Sequence, residues 1–296
     1  MVIKTKSSKF AYFTVDFECF THDLCRSLGT ENKPSLRTHE LIRSVHNIQK
    51  IISFTTHQST KMTFFCTGVA ADLYPDVLKE LAALGHEIAC HGNFHDDVNK
   101  MTPKVLYAEL KLAKDKLSQV TSKDVIGFRA PRFSIDKLDF ERLDVISQLF
   151  NYDSSLHFMD QTEFNNWKSQ CPVDLIEFPV PQQNLLISKF KVKLGGSYLK
   201  LFPSKFVQYA ANRSVEKGLT PIFYFHPYDL YFGYSQLASW NELKGAKARA
   251  YWYLRQAQWA GLFNWGQERK VRKLFSSFSN LGTLSESMHE TQIPLK

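Results

Sequence analysis

The sequence predicts an α/β protein with a mainly parallel sheet and helices packed outside it, either closed as a barrel or open and doubly wound. Three observations carry this reading. Short apolar runs of strand length alternate along the chain with amphipathic stretches of helical period. The connections between them are short, and strand, helix, strand order with such links implies parallel pairing. The unusual polar residues fall at the carboxyl ends of the inferred strands, the face on which parallel α/β folds assemble their sites.

The first strand is "FAYFTVDF" at 10–17, followed by a loop, "GTENKPSLRTHE", and a helical stretch near 37–52. "KMTFFCTG" at 61–68 reads as the second strand. The next helix, about 69–84, places Val69, Ala70, Leu73, Val77, Leu78 and Leu81 on one side and stops at Gly85. "HEIAC" at 86–90 is the third strand. Thr102 and Pro103 fit an N-cap and first helical position, and Val105, Leu106, Leu110, Ala113, Leu117 and Val120 keep a helical period up to the strand "DVIGFRA". A helix at about 136–149 and the strand "FNYDSS" continue the alternation. From 157 to 220 the pattern loosens: "IEFPV" and "KFKVKLGGSYLKLFP" read as strands or turns, "FPSKFVQYAANRSVEKG" as a helix. "TPIFYFHPYDL" at 220–230 is the last strand. No repeat or interdomain linker interrupts this order. One domain over 1–296 is expected, with a core at about 10–230 and a helical aromatic and basic extension at about 235–296.

A chain of 296 residues exceeds the usual single-domain size but is within reach of one barrel or large α/β domain. With 44% hydrophobic and 14% aromatic residues it has ample core and is unlike a disordered chain. A formal charge of +8 permits attraction to phosphates, anionic lipids or acidic glycans. Lys and Arg are scattered, however, without the dense basic run of a nucleic-acid binder. Between Lys244 and Lys273, basic residues interleave with Tyr251, Trp252, Tyr253, Trp259, Phe263 and Trp265, a composition that suits either core packing or peripheral contact with a membrane surface. The five cysteines show no CxxC spacing and read as reduced thiols. No apolar core of signal-peptide length precedes Asp16, and nowhere do 18 apolar residues follow one another, so a cytoplasmic location is expected.

Asp16 and Glu18 follow the first strand, His91 and His95 the third, Arg129 and Arg132 the fourth, Asp153 the fifth, and His226 and Asp229 the last. Singly, each has a bland explanation: polar turn residues, a surface ion pair, a capped core histidine. Their joint placement points to a site. Two imidazoles and one carboxylate make a facial set for a divalent ion, with Glu18 or Asp16 as the third ligand and open positions for water and a substrate carbonyl. A cation there polarises an acyl oxygen and lowers the pKa of bound water, so a carboxylate base needs little driving force. A neighbouring arginine would hold that base ionised. Departure of an amine then requires an acid, a task that suits a histidine such as His226.

In this order the motifs resemble the polysaccharide deacetylase family, the NodB-homology or carbohydrate esterase family 4 enzymes, over roughly residues 10–230. "TVDFE" resembles the first motif, with Asp16 in the place of the catalytic base. "HGNFH", preceded by "TFFCTG" and "LGHEIACHG", resembles the metal-binding H-x-x-x-H motif through His91 and His95. "RAPRF" resembles the third motif, where Arg129 would orient the base and the backbone N–H of Arg132 would face the oxyanion. "YDSS" resembles the branch acting in surface-polysaccharide pathways, with Asp153 as a partner for Arg129; "GGSYLKLFP" resembles another segment of that branch. "FYFHPYDL" carries His226, the general acid by resemblance, with Tyr228 on the substrate side. The resemblance implies a distorted, incomplete (β/α)7-type barrel. It also implies hydrolysis of an N-acetyl group from an amino sugar, with zinc (Zn) or a similar divalent metal activating the water.

The chain departs from the family pattern at three places. Phe17 stands where many members have a second aspartate, with Glu18 one later; strand alternation puts Asp16 and Glu18 on the same side, as base and ligand with exchange of roles open. Gly92 stands where Ser or Thr is common, and Arg132 where Tyr is common. Two further readings share the scaffold: a metal-independent amidase of small amides, and an inactive glycan-binding member. For the enzyme, the expected substrate is an N-acetylated sugar bearing phosphate, nucleotide-linked or lipid-linked at the inner face of the membrane, and no nucleic acid partner is expected. Loops at 19–36, 157–172 and 227–240 are expected to shape specificity.

Overall fold

Strand β1 (Phe10–Phe17) is the keel of the molecule, buried along its length beyond Phe10. Its alternation sorts two environments: Phe13, Val15 and Phe17 join the core under the helices, while Tyr12 faces a second, inner cluster with Phe65, Tyr152 and Tyr224. Burial on both faces is the signature of a parallel strand covered by helices. The structure, a computed structural model, describes residues 9–18, 46–55, 60–184, 191–230, 245–260 and 266–290. The loop at 19–36, the start of the helix near 37–52, residues 231–240, Cys19, Cys25, Phe263 and Trp265 lie outside the described residues, as does the Trp259 side chain.

In chain order the further strands are β2 (Thr63–Cys66), β3 (Glu87–Cys90), β4 (Gly127–Phe128), β5 (Tyr152–Asp153), β6 (His157–Phe158), β7 (Ile176–Glu177), β8 (Val180–Asn184), β9 (Lys191–Lys193), β10 (Ile222–Phe225) and β11 (Ser279–Asn280). The main sheet runs β10-β1-β2-β3-β4-β5-β7, with every neighbouring pair parallel, and β11 adds to the amino end of β1. Among the described residues β7 and β10 do not pair, so the sheet curls into a half-barrel and stays open there. A small sheet, β6-β8-β9, stands beside the main one. The chain after β9 returns to β10 through a parallel bridge between Gly195 and Tyr224. A Cβ on Gly195 would meet the Tyr224 carbonyl oxygen at 2.1 Å, so only glycine allows this approach.

Several elements differ from the sequence reading. The helix expected over 69–84 is two, Gly68–Leu73 and Pro75–Ala83, because Pro75 lacks the N–H a continuous helix needs and opens a new one instead. Thr67 caps the first through Ala70 N at 3.2 Å, which ends β2 at Cys66 rather than at 68. Leu73 and Val105, placed on core faces by periodicity, are exposed. "SYLKL" within the segment read as strands or turns is a short helix, Ser197–Leu201. The cap at Thr102 and the helix Pro103–Thr121 stand as expected, as does the helix Ser204–Glu216.

Residues 266–290 return to the barrel, where β11 pairs with β1. Lys270 Nζ donates to the carbonyls of Leu199, Lys200 and Phe202 at 3.0 Å each. At the amino ends of the strands, Glu87 accepts hydrogen bonds from Thr63, Tyr152 and the backbone of Ser285, fastening the helix Leu284–Glu290 to the bottom of the barrel. Cys66, Cys90 and Cys171 are free thiols. Among the described residues no helix is long and apolar enough to cross a membrane.

Candidate active site

The carboxyl ends of the strands open into a cavity of about 610 Å3. Asp16, Glu18, His91, His95, Arg132, His226 and Tyr228 all line it. Asp16 comes from the end of β1, two residues after the inward-facing Thr14, and both meet Arg129 from the end of β4. Arg129 Nη1 donates to Asp16 Oδ1 and to Thr14 Oγ1, each at 2.8 Å. Its Nε and Nη2 donate to the carbonyl and hydroxyl of Ser154 at 3.0 Å. The guanidinium carbon stands 4.0 Å over the Phe65 ring, so the cation is fully enclosed with four hydrogen bonds and an aromatic face around it.

Glu18, His91 and His95 offer one ligand atom each, all within 4.8 Å of one another, and they are the set among the described residues that could hold a metal ion. The tautomer of His91 suits this. Its Nδ1 lies 2.8 Å from the Arg129 carbonyl, which can only accept, so Nδ1 carries the proton and Nε2 keeps its lone pair. Burial pushes the His91 imidazole down to about 4, leaving it neutral at pH 7. Glu18 Oε2 is buried and pairs with His95 Nε2. Burial opposes ionisation of Glu18, but the facing imidazoles of His95, His226 and His91 outweigh it and hold the carboxyl below its ordinary value. An ionised carboxylate beside two imidazoles is the donor chemistry of a divalent cation site. The loops after β3 and β4 are bent: His95 in the first and Arg132 and Phe133 in the second have left-handed backbone (φ 61°, 54° and 56°), a conformation costing non-glycine residues roughly 1–2 kcal/mol each and concentrated at functional sites.

His226 follows β10 and faces Glu18 Oε1 at 3.6 Å through Nε2. Its Nδ1 lies 3.1 Å from Asp229 Oδ2, which also accepts from the His226 backbone at 2.8 Å. Asp229 in turn is held 3.0 Å from Lys200 Nζ, both side chains buried. Burial would raise Asp229, but Lys200 and His226 dominate and lower it to about 2. For His226 burial acts downward, and the Glu18 and Asp229 carboxylates overcome it and raise the imidazole above its ordinary value. The His226 ring stacks on Tyr228 at 4.7 Å between centroids, and the Tyr228 hydroxyl donates to Glu18 at 2.9 Å.

One expected contact is placed differently. Asp153 makes no hydrogen bond to Arg129, whose donors go to Asp16, Thr14 and Ser154. Its Oδ1 accepts instead from Ser154 N and Ser155 Oγ. It stands opposite Glu177 in register, where burial raises both carboxyls, Asp153 to about 6, so that the pair keeps a proton. The Arg132 side chain reaches Asp97 and, at 3.3 Å, His95 Nδ1. Sequence reasoning missed Thr14, Ser154 as the Arg129 acceptor, Glu177 and Lys200. Asp229, three residues after His226, was legible as a polar strand-end residue but not as the partner of that histidine.

Residues 39–143 match the polysaccharide deacetylase family model, and residues 153–263 match a domain of unknown function, DUF3473. The first match holds both histidines and both arginines; Asp16, Glu18 and His226 fall outside it. The chain is 31% identical over 122 residues to a peptidoglycan deacetylase-like protein of Gibberella zeae, and 27% identical over 142 residues to a peptidoglycan deacetylase of Helicobacter pylori. These alignments take in 40% and 47% of this chain and 34% and 46% of the relatives, less than half of their length. Among solved structures, a polysaccharide deacetylase from Mycobacterium smegmatis superposes with TM-score 0.59 at 17% identity, covering 98% of this chain and 92% of that one. A CE4 family pseudoenzyme from Bacillus anthracis gives TM-score 0.51 at 10% identity, covering 95% and 65%. These structural likenesses speak to the fold.

Proposed function

From the match of residues 39–143 to the polysaccharide deacetylase family we propose that the chain is a metal-dependent hydrolase that removes an N-acetyl group from an amino sugar in a glycan or glycan precursor. The observation that carries the reading is the convergence, in one cavity, of a carboxylate held by a buried arginine, a two-histidine and carboxylate ligand set, and a histidine backed by an acid.

Glu18, His91 and His95 are the residues that would hold the cation, which when bound polarises the acyl oxygen and acidifies water. Asp16 removes the proton of the attacking water, and Arg129 fixes its carboxylate in place. His226, its Nδ1 side held by Asp229, presents Nε2 to the cavity and protonates the departing amine. The Arg132 backbone N–H faces the developing oxyanion, and Tyr228 bounds the substrate side. Asp153 acts at one remove, holding the Ser154 and Ser155 turn against which Arg129 rests. A role in surface-polysaccharide assembly, on a nucleotide-linked or lipid-linked precursor at the inner face of the membrane, fits the positive charge and the aromatic and basic segment at 244–273.

Acetate release from N-acetylated glycans and nucleotide sugars, with and without chelator, tests the reading. Asp16→Asn, His91→Ala and His226→Ala are each expected to abolish release. Unchanged release in all three would overturn the mechanism.

A further inference from the structure

Three cations line the cavity: Lys100, Arg132 and Lys193. The first two are already committed to one carboxylate, Asp97, whose Oδ2 lies 2.6 Å from Lys100 Nζ and whose Oδ1 pairs with Arg132. Lys193 is different. It sits at the end of β9, half-buried, and has no carboxylate partner among the described residues. What faces it is the ring of Phe133, 4.9 Å from Nζ, and the imidazole of His157, which packs on the same ring at 4.5 Å. Burial pushes His157 down to about 3, so it is neutral and cannot balance the ammonium.

A half-desolvated ammonium is costly unless something compensates it, and an aromatic face supplies only part of that. Burial accordingly lowers Lys193 to about 8, a value that still leaves it mostly charged at neutral pH. Phe133 sits in left-handed backbone, and its ring also packs against Tyr224, 5.1 Å between centroids, and the Arg129 guanidinium, 5.5 Å from the ring centroid. Lys193 and the arginine that holds Asp16 thus flank one phenyl ring. An anion meeting Lys193 would stand in the same cavity as Asp16.

We propose that Lys193 is the anion-binding post of this cavity, taking a carboxylate or phosphate group carried by the N-acetylated substrate. This rests on the deacetylase reading for the identity of the substrate, but its evidence is a half-buried ammonium that no carboxylate of the described residues faces. Two sources supply such an anion: a sugar acid within the glycan, or the phosphate of a nucleotide or lipid carrier.

Equilibrium binding to the Asp16→Asn protein separates them, each anionic saccharide being set against a neutral one of equal size: an N-acetylglucosamine–N-acetylmuramic acid disaccharide against N,N'-diacetylchitobiose, and N-acetylglucosamine 1-phosphate against N-acetylglucosamine. At least one anionic ligand is expected to bind about tenfold or more tightly than its neutral counterpart, as a charge-assisted contact in a half-buried site implies. The preference should shrink below about threefold in Lys193→Met and persist in Lys193→Arg and in the distant control Lys79→Met. A larger preference for the carboxylate assigns the sugar acid; a larger one for the phosphate assigns the carrier. No preference in the parent, or the same preference in Lys193→Met, overturns the proposal. Acetate release by the wild-type protein is read separately, so loss of the deacetylase reading and loss of the anion post are distinct outcomes.

Discussion

Replacing Arg129 by Met should be among the most damaging single changes in the barrel, and its cost can be worked from its surroundings. The side chain is fully buried and makes four hydrogen bonds, one of them to Asp16, itself 2% exposed. Deleting one partner of a buried ion pair leaves the other charge uncompensated and costs about 3–5 kcal/mol. Against a whole-domain stability of about 5–15 kcal/mol, that is a large share. Asp16→Asn in the Met background removes the stranded charge. The double variant should therefore be more stable than the sum of single losses predicts, by about 2–3 kcal/mol. Urea denaturation of the wild type, both single variants and the double variant at pH 7 measures all four corners of this cycle. A loss below about 1 kcal/mol for Arg129→Met, or strict additivity, would refute the claim that these two charges hold each other inside the barrel. The double variant should stay inactive even where it folds, which separates the stabilising role of the pair from the role of Asp16 in proton transfer.

Other outcomes follow from the same geometry. Asp229 is held at about 2, below its unfolded 3.8, so its ionised form contributes about 2 kcal/mol above pH 4, lost as pH falls through 2. Asp229→Asn lacks this contribution, and its stability deficit, measured by urea at pH 7, 4 and 2.5, should narrow on acidification; a deficit constant with pH would argue against it. Asp153 and Glu177 have raised values, so the folded form binds more protons and stability falls as pH rises from the ordinary carboxylate range through about 6. Glu177→Gln should flatten that slope while keeping the fold, as urea midpoints between pH 4 and 7 would show. Divalent zinc at about a thousand times its dissociation constant should stabilise the wild type by roughly 4 kcal/mol. Thermal melting and elemental analysis of His91→Ala and His95→Ala should show neither the shift nor the bound metal.

The parts of this architecture legible in the sequence are those set by local period. Alternation along "FAYFTVDF" fixes which residues of β1 face inward, and so puts Asp16 and Glu18 on one side without any knowledge of the neighbouring strands. Thr102 with Pro103 announces its helix for the same local reason. Where a single residue breaks a period, as Pro75 does, the pattern of apolar positions continues across a boundary that the backbone cannot. Contacts across the barrel are a different matter. Asp153 is one residue from the turn that binds Arg129, yet the guanidinium takes the Ser154 carbonyl and hydroxyl, because the register of β5 on β4 and β7 delivers Asp153 to Glu177 instead.

Lys200 shows the limit most clearly, and also why it matters. Its partner Asp229 lies 29 positions later, on the far side of a helix and a strand, and nothing in "GGSYLKLFP" marks a lysine destined for the interior. The pairing exists because Gly195 lets the chain close on the Tyr224 carbonyl, which brings the following helix against the turn after β10. Once there, the ammonium keeps Asp229 ionised, and an ionised Asp229 is what fixes the orientation of His226 Nδ1. A glycine chosen for backbone clearance thus sets the state of a carboxylate, and through it the aim of the histidine placed to protonate the leaving amine.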